Sequence, residues 1–197
     1  MPTITKHKLE DAYTYESYFD LMSQLVEAGK TSGPKQSEDL AHYTALNHRR
    51  MKRILKTTKL LPETIETLKA IDTPQIWLVI TEAWCGDAAQ IVPILERMAE
   101  ENPLIEMRLI LRDENLPIMD QYLTGTSRSI PKLVILKADD LTELGVWGPR
   151  PEEAHEIVLN AKQQPDYHYT KVTEALQVWY NKYKTIGSQK EVVEVQK

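Results

Sequence analysis

The chain has 197 residues, enough for one domain with an extension and for a core that buries roughly 70% of the unfolded surface. With 42% hydrophobic and 27% charged residues it falls outside the disordered, fibrous and disulfide-scaffold classes. A formal charge of -5 argues against a nucleic-acid partner, and no apolar run approaches the about 20 residues of a membrane span.

Residues 1–11 alternate polar groups with single aliphatics and lack the apolar stretch of a secretory leader, so the expected location is cytoplasmic. In residues 15–28, Tyr18, Leu21, Met22, Leu25 and Val26 recur at helical spacing, and Gly29 marks a stop. After a loop with Gly33 and Pro34, Ser37 caps a longer helix carrying Leu40, Tyr43, Leu46, Met51, Ile54 and Leu55. Pro62 opens a shorter helix with Ile65, Leu68 and Ile71 on one face. The pattern then changes. Residues 76–81, Ile-Trp-Leu-Val-Ile-Thr, are nearly continuous in branched and aromatic side chains, as a strand covered on both faces requires.

A helix is expected at 87–101, a strand at 105–111, a short helix at 116–123 and a strand at 132–136. Strands alternating with helices imply parallel pairing. The turn signal Ala138-Asp139-Asp140 makes 141–147 the antiparallel partner of the strand before it, so the sheet is mixed. Residues 152–161 and 170–183 read as helices, the latter with Val172, Leu176, Trp179, Tyr180 and Tyr183 on one side, and 187–197 as a frayed tail.

Cys85 is the single cysteine, so no disulfide forms within the chain and any thiol chemistry uses one sulfur. It stands where the buried strand passes into the next helix. There the unpaired N–H groups of the helix start favour a thiolate and are expected to lower the thiol pKa from about 8.5. Gly86 leaves room for a substrate backbone, Trp84 offers a flat apolar wall, and the Asp87 carboxylate opposes ionisation of its neighbour.

The segment Trp84-Cys85-Gly86-Asp87-Ala88, with Pro93 eight residues after Cys85, resembles the thioredoxin family, whose strand ends in W-C-G-P-C. Ser129-Ile130-Pro131-Lys132 resembles the family's cis-proline loop, 46 residues after the cysteine, and Leu144-Gly145-Val146-Trp147-Gly148 its glycine-bearing last strand. The resemblance implies an α/β thioredoxin-like mixed sheet flanked by helices over 62–162, an N-terminal helical extension at 1–61 and a C-terminal helix and tail at 163–197. It implies catalysis by Cys85, with Trp84, Gly86, Asp87, Ile130 and Pro131 at the substrate and the Ile130 backbone free to pair with an extended client.

Two departures shape the chemistry. Ala88 stands where the family has its resolving cysteine, and Val79 where it has a buried aspartate. A mixed disulfide at Cys85 would therefore need an external thiol for release. The expected function is monothiol thiol–disulfide exchange with client protein disulfides or a low-molecular-weight thiol; the alternative is a redox-inactive binding module. Arg128 is a candidate for holding a substrate carboxylate, and Arg150 a lower-ranked one. Arg49, Arg50, Lys52, Arg53, Lys56 and Lys59 form an acid-free run whose plain reading is a solvated helix face. The histidine spacings suit no metal, and neither a metal nor another cofactor is expected.

Overall fold

A computed structural model of the chain describes residues 4–183 and 185–196. The elements are α1 (Lys6–Glu10), α2 (Tyr15–Glu27), α3 (Glu38–Thr57), α4 (Pro62–Lys69), β1 (Gln75–Thr81), α5 (Gly86–Ala99), β2 (Ile105–Leu111), α6 (Leu116–Met119), β3 (Lys132–Lys137), β4 (Glu143–Trp147), α7 (Glu152–Lys162), α8 (Tyr169–Tyr183) and α9 (Ile186–Val195). Local chemistry fixes several starts. Thr14 and Ser17 form a reciprocal capping box at α2, the Ser37 hydroxyl accepts from Leu40 N–H at α3, and Pro62 occupies the first turn of α4.

The sheet order is β2-β1-β3-β4, which puts β1 and β3 in the middle. β1 is buried along its whole length, as its unbroken apolar run requires, while β4 at one edge is mostly open. At the other edge Tyr13 exchanges two backbone hydrogen bonds with Leu109, so the N-terminal segment covers part of β2. β1 and β2 are parallel, and β3 pairs antiparallel with both β1 and β4.

The antiparallel β1–β3 pairing corrects the expectation that alternating elements make these strands parallel. A parallel return needs a helix long enough to carry the chain back to the starting end of the sheet. Between β2 and β3 there is only a short turn at Arg112–Glu114 and the four-residue α6. The chain stays at the end where β1 and β2 finish, and β3 leaves from there in the opposite direction. That choice delivers Ile130 and Pro131 beside the start of α5.

A second correction concerns the tail. Residues expected to fray form α9, with Ser188, Gln189, Val192 and Val193 buried. Gly145 makes room for it, since a Cβ there would collide with Val195 Cγ1. The Gln189 side chain accepts from Leu61 N–H (2.8 Å) and donates to the Lys59 carbonyl (3.1 Å), tying α9 to the entrance of α4. α3, α4 and α9 all pack against α5, so the helix that carries Cys85 at its start is held from several sides. The short helix α1 has no counterpart in the periodicity; Thr5 caps it by accepting from Lys8 N–H.

Candidate active site

Cys85 is the N-cap of α5. Its Sγ accepts from Ala88 N–H at 3.4 Å and donates to the Ile130 carbonyl at 3.3 Å. The Ile130–Pro131 peptide is cis, and so is Gly148–Pro149. Gly148, at φ +111°, lies against the loop so closely that a Cβ would stand 2.5 Å from the Pro131 carbonyl oxygen. Thus the residue after β4 packs on the loop that opens β3, and that loop meets the start of α5 at the sulfur. The Ile130 carbonyl accepts the thiol proton, so an extended client pairing there would share or displace that bond.

Cys85 as a whole is only 8% exposed. Burial pushes its pKa up to about 12, and the Asp87 charge adds to that; the Ala88 and Asp87 N–H groups and the Arg150 guanidinium pull the other way. The expectation of a lowered pKa is therefore overturned. The helix start acts in the expected direction but is outweighed by the loss of solvent, and in this conformation the sulfur is a protonated donor.

Asp87 is held by groups far along the chain. Arg150 donates to its Oδ2 through Nε (3.2 Å) and Nη2 (2.5 Å), and the Tyr180 hydroxyl donates to its Oδ1 (2.8 Å). Its charge is thus balanced by a part-buried ion pair. Gln90 and Gln177 hydrogen-bond at 2.7 Å, so α8 lies across the first turns of α5.

Glu82 lies three residues before Cys85 and is also buried. It accepts from the Ser32 hydroxyl and from Asp113 N–H (2.8 Å), while the Ser32 Oγ accepts from Ala83 N–H (2.9 Å). Burial raises the Glu82 pKa, and its hydrogen bonds oppose the rise. The cluster braces the backbone just before the cysteine against the loop that precedes α3.

Cys85 opens onto a cleft of about 1050 Å³. Trp84, Gly86 and Asp87 line it together with Ile130, whereas Pro131 is buried and lies outside the lining. The Trp84 ring carries the Arg112 guanidinium 4.8 Å from its centroid. Arg128 also lines the cleft, but its fork is spent on Asp120, with Nε–Oδ1 2.6 Å and Nη2–Oδ2 2.9 Å. A substrate carboxylate at Arg128 would have to displace Asp120 from this exposed pair, whereas Arg150 is docked on Asp87 beside the cysteine. Two further walls come from outside the motif: Leu40, Tyr43 and Arg50 of α3, and Tyr169, Leu176 and Gln177 of α8. The apolar stripe of α8 signalled that this helix packs on something, though not that it packs here. Within the basic run, Arg49, Lys52, Arg53 and Lys56 are exposed and Arg50 turns inward.

Among the described residues, no group of three or more histidine, cysteine or acidic side chains gathers to hold a metal ion, and no helix is long and apolar enough to cross a membrane. No curated relative matches the chain. Two solved structures are similar in fold. An HIV epitope-scaffold aligns at 19% identity and a TM-score of 0.56, covering 93% of this chain and 97% of that one. A protein of unknown function from Pseudomonas aeruginosa aligns at 20% identity and a TM-score of 0.57, covering 93% of this chain and 96% of that one. At such identities the likeness speaks for the fold alone. The sequence profile described as thioredoxin matches residues 33–165, from the loop before α3 to just beyond α7. That span includes the β1–α5 junction, the cis-proline loop and the hairpin that meets them, and the chain belongs to the thioredoxin family.

Proposed function

We propose that the protein is a monothiol thiol–disulfide oxidoreductase acting through Cys85, with an external thiol completing each cycle. The observation that carries this reading is the placement of Sγ between Ala88 N–H and the Ile130 carbonyl, at the floor of a cleft deep enough to hold a substrate. Cys85 loses its proton to water as a disulfide RS–SR enters. Sγ attacks one substrate sulfur, the S–S bond breaks, and RS⁻ leaves and takes up a proton. Cys85 is then oxidised to a mixed disulfide and one half of the substrate is reduced. With Ala88 in place of a second thiol, an outside R'SH attacks the mixed disulfide, giving R'S–SR and restoring the Cys85 thiol. Trp84, Gly86, Asp87, Ile130 and Pro131 form the substrate's surroundings. The setting is cytoplasmic, where a reducing thiol pool supplies R'SH.

A second reading is a binding module without turnover, and the burial of the thiol with its raised pKa favours it. Intact-mass measurement separates the two. The reduced chain, incubated with 2-hydroxyethyl disulfide at pH 8 to 9, gains one mercaptoethanol adduct that dithiothreitol removes and that Cys85→Ser never forms. If the folded protein gains none while the unfolded chain reacts fully, the module reading replaces the enzyme. Reduction of insulin by dithiothreitol is accelerated little or not at all, because no internal thiol resolves the client adduct.

A further inference from the structure

Four arginines face the cleft, and three are engaged. Arg112 is tied to Asp113, to the Arg128 carbonyl and to the Trp84 ring; Arg128 is tied to Asp120; Arg150 is tied to Asp87. Arg50 differs. Its one hydrogen bond runs from Nη1 to Asn47 Oδ1 at 3.2 Å, and among the described residues no carboxylate pairs with it. Its half-buried guanidinium keeps most of its five donors unused, away from the full hydration that exposed arginines enjoy.

Arg50 is also held in place. Asn47, with 0% exposure, donates from Nδ2 to the Ala83 carbonyl at 3.0 Å and presents its Oδ1 to Arg50. Ala83 lies two residues before Cys85, so a buried amide couples the guanidinium to the backbone that positions the sulfur. The remaining acid in the cleft wall, Glu174, is exposed on α8. An anion entering beside Cys85 would meet a partly desolvated, oriented cation whose fork matches a carboxylate.

Access favours a small ligand. α3 and α8 wall the cleft on two sides, and the bonds from Gln177 and Tyr180 lay α8 over the start of α5. The volume of about 1050 Å³ is at the upper end of small-molecule sites. Resting on the exchange chemistry proposed above, we infer that the substrate is a low-molecular-weight disulfide bearing a carboxylate, and that Arg50 receives that carboxylate while Cys85 attacks the S–S bond. Electrons and protons balance as in the general exchange: Cys85–SH and RS–SR give Cys85–S–SR and RSH.

The test is a charge series of small disulfides at low ionic strength: anionic 3,3'-dithiodipropionate, neutral 2-hydroxyethyl disulfide and cationic cystamine. The rate of adduct formation at Cys85 is read by intact mass, and each rate is divided by that of free mercaptoethanol with the same disulfide. The wild type favours the anion over the neutral compound by about ten-fold, with cystamine slowest. Arg50→Gln brings the anion-to-neutral ratio to about one, and Arg50→Lys keeps part of the preference. Arg49→Gln, on the exposed face next door, retains the wild-type ratio. If the wild type reacts with the neutral disulfide but shows no preference for the anion, or if Arg50→Gln keeps the preference, the inference falls and the exchange chemistry stands. If no disulfide reacts, both fall.

Discussion

The two sides of the cleft are built from different lengths of chain. One side is local: Trp84, Cys85, Gly86 and Asp87 are consecutive, and a single loop brings Ile130 against the sulfur. The other is assembled from a distance. Arg150 and Tyr180 reach Asp87 across 63 and 93 residues, and Gln177 reaches Gln90 across 87. The local side decides where the sulfur stands, and the distant side decides its solvent access and the charge it meets. A family motif therefore locates the thiol without fixing its reactivity, since burial contributes the leading part of the pKa rise.

Substitutions that act on one side and spare the other test this division. The largest effect is expected at the Asp87–Arg150 pair. Asp87→Asn removes a charge that raises the Cys85 pKa, so the thiolate fraction at pH 8 increases and iodoacetamide alkylation speeds up by about ten-fold. Arg150→Gln removes a charge that lowers it and slows alkylation by a similar factor. Each change leaves a part-buried charge without its ion partner and costs about 1–3 kcal/mol of stability by denaturant titration. Opposite kinetic signs with the same stability sign distinguish electrostatics from damage; equal kinetic signs would break the account.

A smaller effect is expected from the α8 wall. Leu176→Ala opens the cover over the cleft, lowers the Cys85 pKa by admitting water and raises alkylation several-fold, at about 2–5 kcal/mol in stability. Unchanged alkylation would show that α8 does not control access. The smallest effect on the thiol is expected at Gln189. Gln189→Ala leaves Leu61 N–H without its partner and costs about 1–3 kcal/mol, with no change in the alkylation rate. A shift in thiol reactivity there would mean that α9 communicates with the site through α5.

The same division governs what could be read from the sequence. The apolar run of β1, the Ser37 cap, Pro62 and the Ala138-Asp139-Asp140 turn are decided by neighbours within a few residues, and their elements stand close to where the pattern puts them. The direction of β3 depends on whether 112–131 crosses the sheet, which is a property of the packed molecule. α9 was illegible because its buried positions make sense only against Lys59, Leu61 and the gap at Gly145. At the site, the residues of the motif could be named in advance. The spending of Arg128 on Asp120, the docking of Arg150 on Asp87 and the inward turn of Arg50 could not, because identical arginines differ only in what the fold brings near them.

Burial and neighbouring charges set the ionisation of Cys85, and the pH dependence of its alkylation measures that directly. A thiol with its pKa raised toward 12 reacts with iodoacetamide at a rate that climbs about ten-fold per pH unit through pH 9 and still shows no plateau at pH 10. A plateau near pH 6 to 7 would contradict the account, because it would show that the helix start prevails over burial and that α8 and Asp87 do not govern the thiol.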